Sequence, residues 1–254
     1  MKLNKLSAAL FVTAAMAFGS SAQAINVGGV VWDPNDPIFD FSSQTNLFET
    51  IGVAVGDKFG GYGQITAVNA SGAFCPTCQL TYEFGGYKII KAASIGDLTF
   101  AAKGGWLKVF VQDTAAFGYT AFSAGTKSTA TDGTLWLDLV GASGILTSPA
   151  TLAGSVTVPN SNGASGQGSG YFDVVGGLAA ANIDTNGQPG GTDLTFTSSF
   201  QPLNKPVVNG GVTVATHFGN NNIFGESVPE PATVALLGLG LVGLGLSRRT
   251  KKAA

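Results

Sequence analysis

Between residues 25 and 228 the chain has no long stretch of 3.6-residue hydrophobic period, while short runs of strict alternation recur along it. Leu152, Gly154, Val156 and Val158 alternate with Ala153, Ser155 and Thr157, and Leu194, Phe196, Ser198 and Phe200 with Thr195, Thr197 and Ser199. Leu135, Leu137 and Leu139 share one face, with Trp136, Asp138 and Val140 on the other. Successive side chains of an extended strand point to opposite faces, so each run reads as a half-buried antiparallel strand. The same reasoning predicts strands at 25–32, 59–68, 79–90, 105–111, 171–175 and 207–216, punctuated by Gly85-Gly86, Asp132-Gly133, Asn186-Gly187 and Asn209-Gly210 turns. About nine or ten short strands between turn signals specify an all-β fold: an antiparallel β-sandwich, with a jelly roll as one version of it.

Composition removes two other classes. The 37 glycines are about 15% of 254 residues, twice the usual ~7%, and charged residues make up 11% against ~25%. No strict Gly triplet runs anywhere, which excludes collagen, and 44% hydrophobic with 10% aromatic residues is too much apolar surface for a disordered chain. The polar, glycine-rich stretch 160–170 is expected to be a loop, and 220–228 a linker leaving the body.

The ends differ from this body. Residues 1–24 carry Lys2 and Lys5, an apolar run from Ala8 to Phe18, then Ala22-Gln23-Ala24, with small residues at the −3 and −1 positions of a signal-peptidase site. At the other end Val228-Pro229-Glu230-Pro231 precedes an apolar stretch, 232–246, and a basic stop of Arg248, Arg249, Lys251 and Lys252. As a helix those 15 residues rise roughly 22 Å, short for a ~30 Å hydrocarbon core, so they suit a transient anchor with its cationic end on the cytoplasmic side.

This arrangement of signal peptide, Pro-Glu-Pro, short apolar helix and basic end resembles the PEP-CTERM sorting arrangement of exosortase substrates in Gram-negative bacteria. The resemblance implies export, transient anchoring in the inner membrane, processing by an exosortase near Pro229-Glu230-Pro231, and a setting of exopolysaccharide and biofilm or floc production on the cell surface or in the extracellular matrix. It divides the chain into a signal peptide (1–24), a β-sandwich body (25–219), a linker (220–228) and a sorting tail (229–254).

Six of the thirteen basic residues lie in the ends, leaving seven against fourteen acids in the body, a charge of −7 that repels phosphate backbones. Nucleic acid is therefore not an expected partner. Cys75-Pro76-Thr77-Cys78 is the sole cysteine pair, and export favours a structural disulfide. A redox role would want a helix after the first cysteine, where a strand is expected, and zinc would need a second pair.

His217 is the only histidine, expected on the less buried face near a strand end, and no nucleophile elbow accompanies it. Asp33, Asp36 and Asp40 beside Trp32 could serve carboxylate chemistry on a sugar stacked against the indole, contact a cation or another ligand, or form an ordinary turn. Asp184-Thr185-Asn186-Gly187 with Asp193 resembles a fragment of a calcium loop, though its glycine stands at the wrong position for an EF-hand. Tyr62 and Tyr87, within Gly-Gly-Tyr runs, are candidates for exposed sugar-stacking rings, and Asn69-Ala70-Ser71 matches a glycosylation sequon.

No catalytic residue, cofactor or resident metal is assigned. The expectation is an exported, non-enzymatic surface or matrix protein. A polysaccharide-binding module, with or without calcium, is the second reading, and an extracellular polysaccharide hydrolase the third.

Overall fold

Alternation of this kind has to be satisfied by pairing, and the computed structural model, which describes residues 24–34, 40–112, 127–228 and 240, shows how. Eleven strands form within them: β1 (Ile25–Val27), β2 (Val30–Trp32), β3 (Phe41–Thr50), β4 (Lys58–Val68), β5 (Gln79–Lys91), β6 (Thr99–Gln112), β7 (Thr134–Ala142), β8 (Leu152–Val156), β9 (Gly166–Gly176), β10 (Leu194–Asn209) and β11 (Val212–Gly225). A 3-10 turn at Lys127–Ala130 and a one-turn helix at Ala180–Ile183 accompany them. The all-β, antiparallel, sandwich-like architecture is the one the alternation requires.

β1 and β2 form a small hairpin, and the other nine strands form one sheet in the order β10-β11-β3-β4-β5-β6-β7-β9-β8. The sheet also closes on itself, because β9 pairs with β10 from Leu194↔Phe172 to Phe200↔Gly166. Eight strands thus run around a flattened barrel, with β8 wedged between the start of β6 and the start of β9. Apart from β8 and the β11–β3 pairing, neighbours in sequence are neighbours in the sheet, closer to a meander than to the two Greek keys of a jelly roll. Short connections enforce this: β10 and β11 are joined by Gly210 and Gly211 alone, both at positive φ.

One end of the barrel is sealed. Trp32, Phe41 and Trp136 meet there with ring centroids 5.8–6.1 Å apart, beside the β1–β2 hairpin and Ile183. Trp136 turns inward against the expected alternation because a register shift lies between Val109↔Leu137 and Phe110↔Leu135, leaving it as the extra residue of a bulge. Its Nε1 donates to the Val27 carbonyl at 2.9 Å, which binds the hairpin to the sheet.

The glycine excess has a packing reason inside the barrel. A Cβ at Gly166 would stand 2.4 Å from the Phe200 ring and one at Gly170 2.6 Å from Phe196, so these rings lie across β9 where no side chain intervenes. Each ring removes on the order of 150–250 Å² from water, which more than offsets the ~1 kcal/mol a strand glycine costs.

Three expectations are corrected, the first being the loop expected at 160–170, of which 166–170 begin β9 and pair with β8 and β10. β3 contributes a full strand where none was expected. Residues 220–225 are no linker: they belong to β11, paired on one side to β10 and on the other to β3. Asn221 and Ile223 face the interior, and burial of that face keeps the segment in the sheet. Beyond it the chain stays tied down, with the Val228 amide donating to the Asn182 carbonyl at 2.7 Å and Ser227 Oγ to Asp40 Oδ2 at 3.1 Å. The expected signal peptide up to Gln23, Asp36, and the tail from Pro229, including its short hydrophobic helix but for Gly240, lie outside the described residues. Among the described residues no helix is long and apolar enough to cross a membrane.

Candidate functional site

The barrel's two ends differ. Connections 51–57, 92–98 and 157–165 gather at the end opposite the Trp32–Trp136 seal, and there the interior opens. The cavity holds about 60 Å³ and is walled by Leu47, Phe84, Ile89, Leu107, Phe172 and Phe196, with Ile51, Val53, Val158 and Ser161 at the mouth. Among the polar side chains that line it, beside Asn160 and Ser198, are Glu49, Tyr87 and Asn221, which are 6%, 1% and 5% exposed. Glu49 Oε1, Tyr87 Oη and Asn221 Oδ1 are buried without a hydrogen-bond partner among the described residues.

Burial sets the charge of this interior. Out of water, ionisation of Glu49 is disfavoured and its carboxyl is pushed up to about 8, so it is protonated at neutral pH. Burial likewise raises the Tyr87 phenol and lowers His217, although the latter's bond to Ala164 acts the other way. At neutral pH the interior carries polar atoms and no net charge.

His217 stands directly across from Glu49 in the β3–β11 register. Contrary to expectation it is fully buried, because the closing strand turns it inward against Phe200. Its Nε2 lies 3.2 Å from the Ala164 carbonyl, which can only accept, so Nε2 carries the proton and Nδ1 accepts from Thr216 Oγ1 at 2.8 Å.

Other singled-out residues have structural work. Tyr62 and Tyr87 are buried, not exposed: Tyr62 stacks on Phe48 with centroids 5.9 Å apart, and Tyr87 on Phe59 at 5.1 Å. Trp32 is 2% exposed and is spent on the seal, so it offers no face to a sugar. Asp33 is exposed, while Asp40 accepts from Ser227.

The calcium-like turn is organised around Asp193, 2% exposed, whose carboxylate accepts from the amides of Val174, Thr185 and Asn186 at 2.7–2.8 Å. Its oxygens cap backbone donors instead of facing a cation site. Among the described residues no three His, Cys, Asp or Glu side chains converge as metal ligands. The Asn69 amide of the sequon is similarly committed: Nδ2 donates to the carbonyls of Asp33 and Asp40 and Oδ1 accepts from the Ser42 amide, all at 2.8–2.9 Å. The sulfurs of Cys75 and Cys78 lie against each other with Cα atoms 5.0 Å apart, inside the roughly 4.4–6.8 Å span a disulfide uses, and β5 follows directly.

On the outer face Trp106 is half-buried. Its ring lies flat over Gly85 and Gly86, where an added Cβ would stand 3.0 and 2.8 Å from it.

The sealed end is where the chain departs towards its tail, through Ser227 and Val228, and a family model matches at this junction. Residues 227–249 carry the PEP-CTERM protein-sorting motif. Val228, Pro229, Glu230, Pro231, Arg248 and Arg249 fall inside the match, and Lys251 and Lys252 just beyond it. The PEP-CTERM motif implies an exported protein, processed by an exosortase and anchored transiently in a membrane before cell-surface display. No curated protein and no solved structure matches the chain.

Glu49, Asn221 and the cavity they line escaped sequence reading. Each looks like an ordinary surface residue in its local run, and only the register places it indoors.

Proposed function

We propose that this protein is an exported, non-enzymatic component of the cell surface or extracellular matrix, serving in exopolysaccharide-rich biofilm or floc. The observation that carries the reading is the PEP-CTERM match beginning at Ser227, directly where the β body ends. Signal peptidase removes 1–24 at the Ala22-Gln23-Ala24 site, the exosortase acts near Pro229-Glu230-Pro231, and Cys75 and Cys78 are joined in the oxidising compartment. Deleting the gene is expected to alter aggregation, floc or biofilm texture while dispersed cells grow as before. An unaltered matrix, together with polysaccharide cleavage by the purified protein, would overturn this.

A second reading, a polysaccharide-binding module, is favoured by Trp106 alone. An indole lying flat on glycines at the surface is a platform for a sugar ring. Glycan pull-downs with and without calcium separate it from the first: retention on extracellular polysaccharide that Trp106→Ala abolishes would establish it.

A further inference from the structure

The cavity is built in a way that packing does not require. A barrel of eight strands has an interior that side chains can fill, or that can hold one small ligand. Here it is left partly open, and its wall keeps three polar atoms without partners. Buried polar atoms in folded proteins are nearly always bonded, so each orphan wants an occupant able to bond it. Asn221 Oδ1 accepts, the protonated Glu49 carboxyl offers one O–H and an accepting oxygen, and Tyr87 Oη can act either way, so the groups that suit these atoms are ones that both donate and accept.

These atoms are not gathered at one point. Glu49 pairs with His217 and Asn221 with Thr45 in the β3–β11 register, four residues apart, or roughly 13 Å along the strands. About 60 Å³ along such a path is narrow: at ~10–15 Å³ per water-sized centre it takes about four to six small groups in file. A ring or branched group does not pass. Apart from Ser198, which pairs with Asn221 across β10 and β11, the lining between the polar atoms is mainly aromatic and aliphatic, so whatever lies there is apolar along most of its length.

We propose that the cavity is a binding site for the end of an unbranched aliphatic chain bearing a hydrogen-bond donor, an alcohol being the simplest case, which enters between the 51–57 and 157–165 connections and gives its donor to Glu49. An anionic head is rejected, because the apolar lining holds no Lys or Arg to offset the loss of its hydration. The inference does not depend on the matrix role proposed above.

The test is ligand-observed NMR with protein recovered from the surface or medium of its native cells, using butan-1-ol, butyrate and tert-butanol. Butan-1-ol is expected to bind, with butyrate and tert-butanol at least ten-fold weaker. Lengthening the alcohol one methylene at a time should tighten binding until the file is full and then stop. Gly168→Leu fills the cavity from β9, where a Cβ meets only ordinary contacts at 3.5–3.6 Å, and should abolish binding with an unchanged circular dichroism spectrum. Glu49→Leu, which removes the group that takes the donor, should weaken butan-1-ol binding about ten-fold with an unchanged circular dichroism spectrum, and unaltered binding would overturn the assignment of the donor to Glu49. No alcohol binding, or equal binding of all three probes by the unmodified protein, would overturn the proposal and leave the polar atoms to water; those two readings need no variant.

Discussion

At the scale of single residues, Glu49 is the side chain that burial penalises most visibly. The folded state holds its proton up to about pH 8, whereas an ordinary glutamate releases it near 4.5. Over that window the folded protein binds the extra proton, so stability falls as pH rises from about 4.5 to about 8 and is flat above. His217 works in the opposite sense. Held below its ordinary 6.5, it lowers stability as the pH drops beneath that value. Urea midpoints should therefore fall between pH 6.5 and 8.5, and Glu49→Gln should flatten that limb and raise the midpoint at pH 8.5; an unchanged slope would mean the carboxyl is ionised inside. Asp193 makes the contrasting case of a buried carboxylate fully provided for. Asp193→Ala strands the amides of Val174, Thr185 and Asn186 and should cost roughly 3 kcal/mol in urea unfolding, while calcium leaves the melting temperature of the unsubstituted protein unmoved. Replacing Cys75 and Cys78 together by serine should remove only about 2 kcal/mol, since the loop they close is tiny, and intact-mass measurement before and after reduction reports whether they are bonded.

At the scale of elements, what was legible depended on which side chains point inward. Leu152–Val156 and Leu194–Phe200 declared themselves because their inward faces are mostly apolar. β3 did not, since its buried positions Phe41, Ser43, Thr45, Leu47 and Glu49 mix polar with apolar types and break the contrast on which period-two reading rests. The run Asn220-Asn221-Asn222 on β11 hides its strand in the same way. Both lapses fall on the two strands that carry Glu49, Asn221 and His217, so the features that made the cavity chemically interesting also made it unreadable. The boundary of the folding unit follows. A chain ending at 219 loses the half of β11 that pairs with both β3 and β10, and should fail to fold, whereas one ending at Val228 should give sharp hydrogen-exchange protection across β3. Equal protection in both would show that β11 is dispensable.

For the molecule as a whole, the seven-charge acidic excess of the body and the basic end of the tail part company on processing. Mass spectrometry of surface and medium fractions should find a mature protein starting at Ile25 and lacking 232–254, and altering Pro229-Glu230-Pro231 should retain a longer form at the inner membrane. Retention on acidic polysaccharide should rise with salt, because screening weakens repulsion from the −7 body. The pairing of β9 with β10 has a further result. A sheet that bonds its own last strand offers no row of open amides and carbonyls to another copy. Where the β10–β11 hairpin runs past its partners, at 203–216, the exposed margin carries Lys205 and Pro206, residues that blunt strand addition. Among the described residues, the closed nine-stranded sheet is therefore not expected to nucleate fibres by strand addition. If the protein serves in a matrix as proposed, its contribution should grow in proportion to the number of copies delivered, with no lag and no seeding, and stop when delivery stops.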